Sequence, residues 1–479
     1  MTVAAEKLSR KTKLLYGAGD FGFSLTDTVI GVLYAIFLTD VIGIPARYAA
    51  GVFLVGRIWD FVNDPLMGYI SDRTRTRWGR RRPFLLFGFI PFAAAYALLW
   101  INYTEWNLFA TVEQAIAGRI SGGPEAAFGI TGLIFFAAAY IIYETLATLV
   151  YMPYFALTPE LTLDYDERTD LTSYRMFFSI FAGLIGFVVP FILIDGTTPE
   201  NAPTILMIGI AFGIASALPL LLTFFGTRER AEFARQEQVG LIPSLKAAFG
   251  NRTFIFTMFI FLFTWAALNL VQSMLLFFVK YRLDLEAQFD LIAGTVFVTA
   301  MLTLPIWEWL SRRFDKRRAY IFGMIFLSTV LTVLAFINPG AGTTVILALA
   351  FLAGIGVSAV HVLPWSMIPD AVEVDELETG NRHEGMYYSL VTLLRKIATA
   401  IALPSMLWIL DASGFVSNAP SQTPEATRAI IGLTGPGPAL FMFAGILFAI
   451  FYPLTRSEHA EIRQRLAEKR ASPAGSPGV

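Results

Sequence analysis

The sequence predicts an all-α polytopic membrane protein, with twelve transmembrane helices in two six-helix bundles. Three observations carry that expectation. Of the 479 residues, 56% are hydrophobic and only 15% are charged, against about 25% charged in a soluble domain. The apolar residues come in blocks of about twenty or more, the length that crosses a bilayer as a helix with its backbone satisfied internally. Lysine and arginine concentrate in every other loop between those blocks.

The expected spans are 14–41, 47–71, 83–102, 127–158, 174–195, 204–226, 253–281, 290–311, 319–338, 343–369, 385–411 and 436–455. Basic residues precede the first span (Lys7, Arg10, Lys11, Lys13) and crowd the second-to-third loop, with six arginines from Arg73 to Arg82. They recur after the sixth span (Arg228, Arg230, Arg235, Lys246, Arg252), after the eighth (Arg312, Arg313, Lys316, Arg317, Arg318) and in the tail. The alternate loops hold few, among them Arg47, Arg119, Lys280, Arg282 and Arg428. The positive-inside rule then sets both termini and the even-numbered loops in the cytoplasm, and the expected location is the plasma (inner) membrane. Two acidic loops, Glu160 to Asp170 and Asp370 to Arg382, are exceptions to the charge pattern. The polar first twelve residues speak against a cleavable signal peptide.

Six spans end near Gly226 and a polar segment follows, so the expected division is a bundle over 1–226, a cytoplasmic linker over 227–252, a second bundle over 253–456 and a tail over 457–479. Each half has a basic knot after its second span, DRTRTRWGRRRP and SRRFDKRR, a weak repeat of the parallel kind. The tail is expected to begin as a short amphipathic helix. The absence of cysteine excludes disulfides and thiolate metal sites. No metal-ligand cluster, nucleophile elbow or phosphate loop is legible, which argues against an enzyme, and no large soluble domain is appended, which argues against a sensor.

Charges inside the spans mark the functional residues. Asp60 lies about 12 residues into the second span, roughly 18 Å down, and Asp64 is one turn further with Asn63 beside it. Glu144 and Thr148 fall mid-span in the fourth helix, Lys396 in the eleventh, and Asp20 and Asp27 two turns apart in the first. An ionised group at the bilayer centre costs about 2.5–3.5 kcal/mol, so these groups must face one another or water. Two carboxylates one turn apart repel unless a cation or proton lies between them. Carboxylate, amide and hydroxyl oxygens suit a hard cation such as sodium, without choosing it over a proton. For Arg57 and Glu144 an internal ion-pair network is the competing reading. Lys396 would neutralise the empty site or meet an anionic substrate. His361 reads as a hydrogen-bonded core histidine, and HVLPWSMIPD as an interrupted helix with Trp365 as an aromatic cavity wall. Trp307 and Trp309 read as interfacial anchors.

The stretches FLVGRIWDFVNDPLMG, RTRTRWGRRRP, YMPYFALTPELTLDYDERTDLTSYRMFF, LPWSMIPDAVEVDEL and HEGMYYSLVTLLRK resemble the glycoside–pentoside–hexuronide:cation symporters, a branch of the major facilitator superfamily, nearly end to end. The resemblance implies the major facilitator fold and a cation site at Asp60, Asn63, Asp64 and Thr148, with Lys396 as the coupling charge close by. It also implies a conformational gate at Asp72, Arg73, Arg77, Gly79 and Arg80. The sugar side departs from the family: Ser24 and Tyr151 stand where acids grip the sugar, and Met176 where an arginine does, with Arg175 next to it. A different glycoside would be held by Asp20, Ser24, Glu144, Tyr151, Arg175 and Trp365. YETLATLVYMPYFALT and LPIWEWLSRRF also resemble the vertebrate sodium-dependent lysophosphatidylcholine symporters, which implies an amphiphilic anion as the alternative substrate. The expected activity is symport of a sugar or glycoside with sodium or a proton. Its partners would be a small-molecule substrate, the coupling cation and membrane lipids. No cofactor and no nucleic acid are expected, and the chain would act as a monomer.

Overall fold

The computed structural model describes residues 8–107, 109–161, 165–194, 196–229, 249–379 and 384–471. Among them the chain is helical and holds no β-strand. The helices are α1 (Arg10–Gly17), α2 (Gly19–Val29), α3 (Ala46–Arg73), α4 (Arg82–Leu98), α5 (Ala110–Ala117), α6 (Gly123–Leu161), α7 (Tyr165–Leu193) and α8 (Ala202–Gly226). They continue as α9 (Arg252–Tyr281), α10 (Phe289–Arg313), α11 (Lys316–Phe336), α12 (Thr343–Thr379), α13 (Glu384–Ala412), α14 (Pro424–Thr434), α15 (Pro436–Ile450) and α16 (Arg456–Ala471).

Nine segments among the described residues are long and apolar enough to cross a membrane, α6 through α13 and the joined α14–α15. They cover the fourth to twelfth expected spans. The first three expected spans are helical but differ in character. Residues 14–41 run through α1, α2 and the two π-helical turns Ile30–Tyr34 and Phe37–Val41. The second carries the charged residues of α3, and α4 is 17 residues long. The integral membrane protein of the sequence reading is thus what the chain builds.

Two compact units make up the chain. The first joins residues 1–236 to 275–294 and 403–429. In it α3 packs on α6, α4 lies against α6 and α8, and α2 rests on α7 and α8. Two glycines permit the closest approaches. A Cβ at Gly56 would fall 1.9 Å from the Tyr140 ring, and one at Gly22 would fall 2.1 Å from the Ser216 carbonyl oxygen. Fully buried Tyr34, Phe37, Phe53, Phe136 and Tyr140 form an aromatic core beside Trp100.

The second unit comprises 237–274, 295–402 and 430–479. Here α11 packs on α12 and α15, and α16 on α12, around a core that includes Met324, Leu327, Val360, Leu363 and Met442. Three expectations need correction. The helix α12 continues through Pro364 and Pro369 without interruption, as membrane helices tolerate when neighbours re-satisfy the backbone. Trp307 is not an interfacial anchor: it is 3% exposed and donates its indole N–H to the Ile355 carbonyl at 2.7 Å. Trp309, two positions on and so on another face of the helix, is exposed. His361 is exposed rather than buried in the core. The tail helix α16 forms as expected.

Candidate functional site

The acidic residues of α3 meet α6 where Gly56 lets the two helices touch. Asp60 and Asn63 are buried, Asp64 is half-buried and Thr148 is buried. Thr148 donates to Asp64 Oδ1 at 3.4 Å. The Asn63 amide nitrogen donates to the Glu144 carbonyl at 3.1 Å, and its Oδ1 is buried with no hydrogen-bond partner among the described residues. Arg57 stands between two acids, 4.0 Å from Asp60 and 3.7 Å from Glu144. Trp59 ties the same helices by donating to Thr145 Oγ1 at 2.8 Å. Asp64 and Thr148 are thus joined directly, Asn63 reaches the backbone of α6, and Asp60 and Glu144 share Arg57.

The expected substrate residues divide. Asp20 is buried and lies 3.5 Å from Arg175, whose guanidinium covers the Phe155 ring at 4.7 Å. Ser24 and Ser179 share a hydrogen bond of 2.5 Å. Tyr151 is buried among Phe23 and Phe92, with ring centroids 5.1 and 5.3 Å away, and its hydroxyl has no hydrogen-bond partner among the described residues. These residues of α2, α6 and α7 adjoin one another. Glu144 stands with Arg57 instead, at the cation-type group. Trp365 and Lys396 belong to the second unit, on α12 and α13.

At the end of α3 the arginine knot folds into a tight turn, with Thr76 and Gly79 exchanging backbone hydrogen bonds of 3.2 and 3.1 Å. Gly79 has φ +107°, a conformation that favours glycine. Arg77 stacks on Trp78 at 4.1 Å. The sequence reading missed Glu229. Its carboxylate accepts the backbone N–H groups of Arg80, Arg81 and Arg82 at 2.7, 2.8 and 2.9 Å, at the positive N-terminus of α4. A Cβ at Gly79 would lie 2.5 Å from that carboxylate. The available signal was an acid just past the sixth span, in TRER, where basic residues otherwise prevail. The Asp72 side chain lies outside the described residues.

A second polar group, also unforeseen, gathers the loops expected on the opposite side from that knot. Asp40 is fully buried and accepts from Lys280 at 2.7 Å and from the Tyr281 hydroxyl. Lys280 also donates to Thr197 Oγ1 and Asn418 Oδ1, each at 2.9 Å. Asn418 in turn donates to the Asp40 carbonyl at 2.6 Å. Glu286 accepts the Thr197 backbone N–H at 2.6 Å. All of these residues lie in the first unit.

Residues 15–456 match the family model described as MFS/sugar transport protein. The chain belongs to that family. An uncharacterized symporter of Synechocystis is 33% identical over 98% of both chains. The putative glycoside/cation symporter YagG of Escherichia coli is 30% identical, over 97% of this chain and 96% of its own. The sodium-dependent lysophosphatidylcholine symporter 1-A of Danio rerio is 27% identical, over 92% and 85%. The crystal structure of a D-xylose-proton symporter shares the fold, with TM-score 0.65 at 15% identity over 94% of this chain and 98% of that one. The chain is an integral-membrane, cation-coupled symporter of the major facilitator superfamily, a transporter and not an enzyme.

Proposed function

We propose that the protein imports a sugar or glycoside together with sodium or a proton. The observation that carries this reading is the polar and aromatic group on α2, α6 and α7. Asp20 and Arg175 supply paired charge, Ser24 and Ser179 supply hydroxyls, and Tyr151 with Phe23 and Phe155 supplies ring faces. Sugars present that same combination, hydroxyls that both donate and accept around an apolar ring face. The family description and the glycoside/cation relative support it further. The coupling ion would lie among Asp60, Asn63, Asp64 and Thr148. The buried, unpartnered Asn63 oxygen supports this, because a buried acceptor without a partner costs free energy that a cation recovers.

Transport would follow alternating access of two six-helix halves, 1–226 and 253–456. Asp72, Arg73, Arg77, Gly79 and Arg80 would form the cytoplasmic gate, and Lys396 the coupling charge. The asymmetry of basic loops supports a plasma-membrane protein with both termini in the cytoplasm. It would act as a monomer among lipids, with no cofactor and no nucleic acid. A second reading, uptake of an amphiphilic anion, draws support from the Danio rerio relative and from Arg175 held among aromatic rings.

The test is uptake by purified protein in liposomes under a sodium gradient and, separately, a proton gradient. The probes are the 4-nitrophenyl glycosides of glucose, galactose, xylose and glucuronic acid, with lysophosphatidylcholine in parallel. Gradient-driven accumulation of a glycoside is the expected result. Accumulation of the lysolipid alone would replace the first reading by the second.

A further inference from the structure

In the first unit α4 and α8 run antiparallel, with Arg82 beside Phe224 at one end and Trp100 against Gly209 toward the other. Between these contacts the backbones nearly touch, and a Cβ at Gly213 would lie 2.8 Å from the Ala93 carbonyl oxygen. Along one side of the contact opens a groove of about 280 Å³. The small side chains of Ala93, Ala94 and Ala97 leave the hollow, and Ile90, Ile214 and Leu218 flank it. Those three flanking side chains are exposed. An exposed, wholly apolar hollow along a membrane span opens to hydrocarbon. The shared end of the two helices is basic. Arg82 begins α4, donates to the Phe224 carbonyl oxygen at 2.7 Å and lies over the Phe224 ring at 4.6 Å. Arg228 stands just past α8, exposed and without an ion pair among the described residues. Burial lowers the Arg82 guanidinium from its ordinary value, Glu229 opposes that shift and the Arg228 charge adds to it. Glu229 is itself engaged by the three backbone N–H groups of Arg80, Arg81 and Arg82. At 1.5 Å per residue, Ile90 lies about 12 Å along α4 from Arg82, and Ala97 about 22 Å. One leaflet offers about 15 Å of hydrocarbon beneath about 6 Å of headgroup. With Arg82 at headgroup level, the groove falls in the deeper part of that leaflet.

We propose that the α4–α8 face binds one anionic diacyl phospholipid, with an acyl chain in the groove and the negative headgroup at Arg82 and Arg228. Charge complementarity chooses the occupant. A zwitterionic lipid fills the groove equally well but brings no net charge to the two arginines, whereas an anionic headgroup gains from each of them. The lipid joins the start of α4 to the end of α8, apart from the cation residues of α3 and α6 and from the polar group on α2, α6 and α7. The site is therefore independent of which substrate the protein carries.

The experiment is native mass spectrometry of the full chain, purified in micelles doped with equal amounts of dioleoyl phosphatidylglycerol and dioleoyl phosphatidylcholine. Wild type is expected to retain one phosphatidylglycerol in preference to phosphatidylcholine by about twentyfold, about fivefold for each arginine. R228Q should lower that preference by about fivefold, with retention of phosphatidylcholine unchanged. A94F fills part of the groove and should weaken retention of both lipids alike, by about fourfold for each methylene displaced. The two variants thus separate the headgroup contact from the acyl contact, which a general loss of structure would not do. The unmutated protein supplies a test that no variant's folding can affect. Phosphatidylglycerol carrying a diazirine on its acyl chain should crosslink mainly within residues 89–97 and 210–218. Equal retention of the two lipids by wild type, or a preference unchanged in R228Q, overturns the headgroup assignment and with it the proposal. Retention unchanged in A94F, or crosslinks spread evenly over the exposed helix faces, overturns the groove as the site.

Discussion

The amide of Asn63 has its nitrogen committed to the Glu144 carbonyl and its oxygen buried without a partner among the described residues. Asp60 and Asp64 share its helix, and the Thr148 hydroxyl of α6 donates to Asp64. Two carboxylates one turn apart on one helix repel unless positive charge stands beside them. Arg57 offsets part of the charge on the Asp60 side, at 4.0 Å. Asp60→Cys or Asp64→Cys is therefore expected to lower gradient-driven uptake by at least about tenfold, the least that disturbing a cation site costs. The protein should still elute from size exclusion as a folded species. Full coupled uptake in either variant would remove that carboxylate from the site. The helical repeat made this group legible in the sequence, because i and i+4 share a face whatever the neighbours do. Glu144 was legible in two ways, as a substrate residue or as an ion-pair partner of Arg57, and the structure sets it 3.7 Å from Arg57. The exposure of His361 and the burial of Trp307 were not legible at all, because the face of a membrane helix that meets protein depends on its partners.

Helix ends and turns hold what the helices themselves do not fix. At one end Glu229 caps the start of α4 across some 147 to 149 residues of sequence, a contact no local pattern encodes. At the other, Lys280 of α9 reaches Asp40 in the π-helical turn Phe37–Val41, with Asn418 and Thr197 closing the ring of donors and acceptors. Removing one partner from a buried, hydrogen-bonded pair costs about 3–5 kcal/mol, because the other charge stays buried alone. Such a pair stabilises the arrangement in which it is made over any arrangement in which it is broken. If the loops it joins face outward, Asp40→Asn should make the interior more accessible from outside. The cysteine-free sequence gives a clean readout, a single cysteine at Ser24 labelled by a membrane-impermeant maleimide. Labelling in the Asp40→Asn background is expected to be faster by about tenfold, corresponding to about 1.4 kcal/mol of the pair's bias. Equal labelling rates would mean that the cluster only joins loops and biases no opening.

Coupling belongs to the molecule as a whole, because cation and substrate must each change the affinity for the other by the same factor. The proposed cation site on α3 and α6 and the polar group on α2, α6 and α7 share one helix, α6, whose stretch 144–151 carries residues of both. That shared helix is a route by which cation binding can order the substrate residues without any further element. Lys396 enters differently. The family resemblance implies a coupling charge at Lys396, which lies on α13 in the second unit. A charge that fills the empty site lets the carrier return without its ion only when the substrate has also left, which keeps the two fluxes tied. With Lys396→Ala, substrate accumulation under a cation gradient should collapse toward equal concentrations on the two sides, whereas exchange of labelled for unlabelled substrate continues. Both are read on the same vesicles, accumulation from the final inside-to-outside ratio and exchange from the rate of label exit into unlabelled substrate. Loss of both fluxes would make Lys396 part of the substrate or folding machinery. A wild-type accumulation ratio would place the coupling charge elsewhere and leave Arg57, beside Asp60 and Glu144, as the cation that balances the empty site.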